Sequence, residues 1–327
     1  MVSGPAWLRL RFDFTADEPL LIPGFSGSAW RGLLGHALKR SACVTGAAHC
    51  KGCLLASSCA YPVLFEPTPR TAPDAWHARR YQHLPPPMVL GIDPTWNGAL
   101  PPRPAPARHL STGDSFRLDI ALIGPACERV PHLIHALIIA GELGIGRDHG
   151  RFRLAEVAME TEPGNQTWQT IYRPGAPLQQ VQLVSPQPPP MQSDALEISL
   201  TTPTRLKRHG HLLGPEDLDA ETLLLTLANR LGLLAEHYGG DPADFAWSRL
   251  APATQTLTLE YSELAWQDWS RYSSRQRSRM QLGGLVGALR LSGPGLTELW
   301  PLLWLGQFVH IGKNTSFGLG AYRLTMA

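Results

Sequence analysis

His310-Ile311-Gly312-Lys313-Asn314-Thr315-Ser316-Phe317-Gly318-Leu319-Gly320-Ala321-Tyr322 is the stretch from which the fold is read. An apolar helix is predicted before it, over 296–308, and a strand after it, over 319–325. Gly144-Ile145-Gly146-Arg147-Asp148-His149-Gly150-Arg151-Phe152 holds the same place in the first half, between a predicted helix at 130–143 and a strand at 151–159. Two such turns at matching positions point to an internal duplication. The flanking segments agree. Leu8, Leu10, Phe12 and Phe14 alternate as in a strand over 6–16, a helix is predicted over 28–42 with Ser28 as its N-cap, and 114–123 alternates again. The second half offers strands at 195–201, 254–262 and 283–291, and a helix at 219–238 closed by Gly239-Gly240. Each half reads β-α-β-β-α-β, the ferredoxin-like or RRM-like unit. The expected fold is α+β: a first domain over 1–162, carrying a cysteine- and proline-rich insertion over 43–110, a linker over 163–192, and a second domain over 193–327.

A chain of 327 residues is long enough for two cores, and 43% hydrophobic with 17% charged residues describes a folded globular protein. A net charge of +2 excludes a generally basic coat, so any polyanion site must come from local clusters. Arginines outnumber lysines 25 to four. Arginine suits bidentate phosphate contacts, and a GC-rich genome produces the same bias. No signal peptide is visible and no apolar run is long enough to cross a membrane, so a cytoplasmic protein with reduced thiols is expected.

Glycines at 312, 318 and 320 permit positive φ and lack Cβ atoms, as a backbone close to a phosphate requires. Lys313 adds charge, and Asn314, Thr315 and Ser316 add donors. The loop is not a nucleotide-binding P-loop, because a helix precedes it and a strand follows. Spacing alone fits a plain turn.

The surrounding residues carry more. Trp266-Gln267-Asp268-Trp269-Ser270-Arg271-Tyr272-Ser273-Ser274-Arg275-Gln276, Met280-Gln281-Leu282-Gly283-Gly284-Leu285-Val286-Gly287 and the glycine loop together resemble the C-terminal region of the CRISPR repeat-processing endoribonucleases of the RAMP superfamily. Thr202-Pro203-Thr204-Arg205-Leu206-Lys207-Arg208-His209-Gly210 is similar to that family's second-domain opening. Gly27-Ser28-Ala29-Trp30-Arg31-Gly32-Leu33-Leu34-Gly35-His36-Ala37-Leu38, with the cysteines after it, resembles one subgroup. The resemblance implies cleavage of precursor CRISPR RNA without a metal, by attack of the 2′-hydroxyl, leaving a 2′,3′-cyclic phosphate and a 5′-hydroxyl. It implies as partners a repeat RNA hairpin, the mature crRNA and subunits of a CRISPR effector complex. RNA contacts are expected at Arg31, Arg205, Lys207, Arg208, His209, Tyr272, Arg275, Gly312, Lys313, Asn314, Gly318 and Gly320. The alternative is a non-catalytic RAMP subunit that binds guide RNA through the same loops.

Cleavage of this kind needs proton transfer, which histidine supplies near neutrality. On the 28–42 helix Trp30, Leu33, Leu34, Ala37 and Leu38 form an apolar stripe, and Gly32, Gly35, His36, Lys39 and Arg40 fall opposite. Two glycines in mid-helix cost about 1 kcal/mol each relative to alanine. Close approach of RNA justifies them; so does packing against another element, with the charges merely solvated. His36 is expected as general acid/base because family members place a catalytic histidine on the first helix, with Lys39 or Arg40 neutralising developing charge.

Cys43, Cys50, Cys53 and Cys59 are spaced C-x6-C-x2-C-x5-C, enough thiolates for a tetrahedral structural zinc site. An iron–sulfur cluster and unliganded thiols are the alternatives. Four cysteines leave no open position for a zinc-bound water, which argues against a zinc hydrolase. Cys127 stands apart as a bystander.

Overall fold

The computed structural model describes residues 4–68, 84–103, 105–181, 183, 185–273 and 278–326. Its first sheet has the order β3-β5-β1-β6-β7, every neighbour antiparallel, built from β1 (Trp7–Ala16), β3 (Met88–Gly91), β5 (Ser115–Ile123), β6 (Phe152–Glu160) and β7 (Trp168–Tyr172). A separate ribbon pairs β2 (Leu20–Ile22) with β4 (Arg108–Leu110). Alternation along β1 sends Leu8, Leu10, Phe12 and Phe14 into the core, under helices α1 (Gly27–Ala42) and α3 (Val130–Leu143). A short helix, α2 (Ala60–Phe65), packs beside α1. On the other face Arg9 pairs with Glu160 at 2.7 Å and Arg11 with Asp119 at 3.0 Å, the Arg11 guanidinium lying 3.9 Å from the Trp168 ring centre.

Four strands make the second sheet, in the order β11-β14-β8-β15: β8 (Ala195–Thr204), β11 (Thr258–Gln267), β14 (Gly284–Ser292) and β15 (Tyr322–Met326). Helices α4 (Ala220–Tyr238), α5 (Trp247–Thr254) and α6 (Leu296–Val309) supply the rest of its core. Two hairpins complete the unit, β9 (Lys207–Arg208) with β10 (His211–Leu212) and β12 (Ser270–Ser273) with β13 (Ser278–Gln281). In both sheets the first strand of the repeat is central, the third and fourth flank it, and the second lies beyond the third. The whole is a mixed α/β fold with antiparallel sheets, consistent with tandem ferredoxin-like domains.

Several segments depart from expectation. The insertion supplies an edge strand, β3, whose Met88, Val89 and Leu90 are all buried and so show no alternation. The predicted linker contains β7, hydrogen-bonded to β6. Ser26, not Ser28, occupies the N-cap of α1 and makes no side-chain cap. The short helix α5, with Pro252 inside it, was not expected. The two halves interlock through Trp7 and Ile123, which join the second core; the Trp7 ring lies 5.3 Å from that of Phe308 on α6.

The two helix-ending turns share one backbone geometry. Gly144 follows α3 at φ 76°, ψ 157°, and His310 follows α6 at φ 59°, ψ 168°. That region belongs to glycine, and a side chain there costs about 1–3 kcal/mol. His310 is buried, with Nδ1 3.2 Å from the Leu319 carbonyl oxygen. Half-buried Arg230 donates through Nε to the adjoining Val309 carbonyl at 2.9 Å. Burial, helped by the charge of Arg230, lowers the His310 pKa to about 3. The ring is therefore neutral at physiological pH and is no general acid.

Two measurements test this account of the fold. Trp7→Ala should lower stability in urea by about 3–5 kcal/mol, the usual cost of emptying a buried indole site. From the ordinary value of 6.5 down to about 3, the unfolded chain binds a proton that folded His310 refuses, so stability falls with acid. At about pH 5 the loss is about 2 kcal/mol. His310→Gly should remove that part of the slope when urea unfolding is compared at pH 7 and 5.

Candidate nucleic-acid interface

Helix α1 buries Trp30, Leu34, Ala37 and Leu38 and turns Gly32, His36 and Arg40 to solvent. Those three are four residues apart and stand in one row. The two mid-helix glycines have different causes. A Cβ on Gly35 would lie 2.9 Å from the Phe65 ring, so packing requires that glycine. A Cβ on Gly32 would meet nothing within 4 Å. Protein packing does not explain Gly32, and the missing side chain leaves bare backbone one turn before His36. Lys39 is used otherwise: Nζ donates to the Ala48 carbonyl at 2.9 Å and lies 5.7 Å from the Tyr61 ring centre. It ties the cysteine loop to the helix, leaving His36 and Arg40 as the solvent-facing members of the expected trio.

The glycine loop is mostly committed to the protein. Gly312, Gly318 and Gly320 have φ of 84°, 84° and 73°, and Asn314 is left-handed at 64°. A Cβ on Gly312 would lie 2.4 Å from the Arg205 carbonyl oxygen, one on Gly318 2.8 Å from Ile92, and one on Gly320 1.9 Å from the Ile311 carbonyl oxygen. The Lys313 amide donates to Arg205 O at 3.0 Å, and the Thr202 hydroxyl donates to Gly318 O at 2.8 Å. Thr315 and Ser316 are buried; between 311 and 320 only Lys313 is fully exposed. The close approaches that call for glycine are thus to atoms of this chain, peptide carbonyls at Gly312 and Gly320 and the Ile92 side chain at Gly318. Phe317 reaches the first half: a Cβ on Gly27 would sit 1.8 Å from its carbonyl oxygen. Arg31 lies between two rings, 4.6 Å from Phe65 and 5.0 Å from Phe317, joining the loop to α1 and α2.

The basic loop is the β9–β10 hairpin, turned by His209 and Gly210 at φ 52° and 87°, the two positive values of a type I′ turn. Lys207, His209 and His211 are exposed. Arg208 forms an ion pair with Asp219 at 2.7 Å. Arg205 is half-buried and donates to Gly283 O at 2.5 Å. Burial lowers its pKa. Tyr272 stands on β12 opposite Arg279, and Arg275 lies outside the described residues.

Cys43 caps the end of α1 and Cys59 the start of α2, so the cysteine loop is pinned at both ends by helices. All four thiols line one pocket with Lys39, Tyr61 and Pro62. They do not meet at a point. The Thr45 hydroxyl stands between Cys43 Sγ at 3.7 Å and Cys53 Sγ at 3.9 Å, and Cys59 turns to the Ala42 carbonyl at 3.8 Å. The hydroxyl of Thr45 lowers the Cys43 pKa, and burial raises that of Cys50. Among the described residues no three His, Cys, Asp or Glu side chains are gathered as metal ligands. Cys127 is buried elsewhere, its thiol pushed up to about 12 by burial. No helix among the described residues is long and apolar enough to cross a membrane.

Comparison with known proteins gives the family. The AF_1859_N family, described as an N-terminal domain, matches residues 5–187. The family described as CRISPR-associated endoribonuclease Cas6 matches residues 198–322. An uncharacterized protein of Archaeoglobus fulgidus is 22% identical over 311 residues, covering 93% of this chain and 92% of its own. A solved Cas6 product complex superposes with a TM-score of 0.55 at 16% identity, covering 98% of this chain and 100% of that one. Thermus thermophilus Cas6 gives 0.52 at 14%, covering 99% and 100%. These two likenesses establish the fold. The chain therefore belongs to the AF_1859_N family and carries over residues 198–322 a region that matches the CRISPR-associated endoribonuclease Cas6 family.

Proposed function

We propose that the protein binds precursor CRISPR RNA at its repeats and cleaves it without a metal, with His36 as the principal general acid/base. The reading rests on one observation: the exposed row Gly32, His36 and Arg40 on α1, whose glycine no protein contact requires. The matching strand orders support tandem ferredoxin-like domains as the frame. His36 takes the proton of the 2′-hydroxyl beside the scissile phosphate. The 2′-oxygen bonds to phosphorus, the bond from phosphorus to the 5′-oxygen breaks, and that oxygen takes back the proton from the His36 imidazolium. The products are a 2′,3′-cyclic phosphate and a 5′-hydroxyl. Arg40, one turn on, stabilises the charge that builds on the phosphoryl oxygens. In this reading Lys207, His209 and Lys313, all exposed, grip the phosphates of the repeat hairpin, and Arg205, Arg208 and Arg31 support the backbone around them. The mature crRNA and effector-complex subunits are the partners that follow from this role.

Zinc is proposed for the cysteine loop. Four free thiols line one pocket between two helix ends, and a change of χ1 rotamer by about 120° redirects each sulfur. Cys43, Cys50, Cys53 and Cys59 would hold the ion, which would close the loop structurally and leave no open position for catalysis.

Repeat RNA incubated with the protein in EDTA should yield cyclic-phosphate and 5′-hydroxyl ends. His36→Ala should slow single-turnover cleavage by about 10²- to 10⁴-fold. Binding without any cut would favour a guide-RNA-binding subunit instead. Metal analysis should find one zinc per chain, released by a mercurial thiol reagent and lost in Cys50→Ser; a metal content near zero would remove zinc from the account.

A further inference from the structure

Residues 19–65 contain no Asp or Glu, although 27 of the 327 residues are acidic and about four would be expected in such a length. The same 47 residues hold Arg31, Lys39, Arg40, Lys51, His36 and His49. This is the only part of the chain where basic groups gather over such a length without carboxylates. The first acid beyond it, Glu66, accepts a hydrogen bond from the Tyr61 hydroxyl at 3.5 Å.

The cysteine loop also displays apolar side chains. Leu54 is 98% exposed, Val44 81% and Leu55 42%, the first two the most exposed large hydrophobic residues described. Lys51 is exposed beside them. Nothing in the fold of the loop calls for this, since its backbone is held by its own turns, Cys53 N to Cys50 O at 3.1 Å and Cys59 N to Leu55 O at 2.8 Å. The loop starts seven residues after His36, about 10 Å along the helix axis. Lys39, three residues from His36 and so its neighbour on the helix surface, holds it there through Ala48.

We infer that the cysteine loop is a nucleotide-binding subsite, in which Val44, Leu54 and Leu55 pack against unpaired bases flanking the scissile phosphate and Lys51 holds the backbone between them. This rests on the proposed role of His36 and extends it to the neighbouring nucleotides. Unpaired RNA bases present broad apolar faces next to negative phosphates, and aliphatic tips with an exposed lysine beside them complement both. A protein partner would also accept the apolar tips, but it would not account for the lack of acids over the whole 47 residues.

The test uses the full chain and repeat RNA with its flanking nucleotides, made uncleavable by a 2′-deoxy substitution at the scissile position. Binding is then read independently of catalysis, so failure of the His36 assignment leaves this result intact. Leu54→Ser with Val44→Ser should weaken binding about tenfold, the order expected for loss of one stacked base. Lys51→Ala should weaken it and lower the salt slope by about one. 4-Thiouridine placed beside the scissile phosphate should cross-link to residues 44–55. Thermal unfolding within a degree or two of wild type shows that the variants are folded. If the folded variants bind with unchanged affinity and the cross-links fall outside the loop, the inference is overturned. It is equally overturned if the variants lose only the binding of a purified effector subunit.

Discussion

The arrangement depends on a contact between two peptide groups. Gly27 lies so close to the Phe317 carbonyl that a Cβ there would stand 1.8 Å from the oxygen. Through it the last loop of the second sheet is seated on the first turn of α1. Phe25, Leu282 and Leu319 seal the junction, and Arg31 spans it between two aromatic rings. Because the start of α1 is occupied in this way, the free surface of the helix begins at Gly32 and runs through His36 to Arg40. The loop therefore decides which part of α1 faces solvent, without itself offering an acid or base.

Much of the architecture was legible because hydrophobic periodicity reports burial directly. β1 shows its alternation plainly, α3 and α6 stand out as long apolar runs, and all three form where expected. β3 and β7 were not legible for a physical reason. Met88, Val89 and Leu90 are buried on both faces, so they do not alternate, and Trp168–Tyr172 is a five-residue edge beside a proline-rich stretch. α5 has only eight residues and contains a proline, which ordinarily marks a helix end.

The glycine loop shows a different limit. Positive φ and the lack of a Cβ are required equally by a nearby phosphate and by a nearby peptide carbonyl, so the residue pattern does not distinguish them. Distances do, for the glycines: Arg205, Ile311 and the strand end at Leu90 and Ile92 fill the side on which a Cβ would stand. The reverse holds on α1, where Gly35 is explained by Phe65 and Gly32 by nothing in the protein. Lys39 was read as a charge beside the phosphate, yet its reach is spent on the cysteine loop, a contact invisible to helical geometry alone.

Function in this account concentrates on an exposed histidine with room around it, and that room permits a direct test. In the His36→Ala protein, added imidazole can enter the space left by the side chain. The account predicts that imidazole restores cleavage of repeat RNA in a concentration-dependent way, at the same phosphate and with the same cyclic-phosphate end. Wild-type cleavage by His36→Ala without imidazole would contradict it.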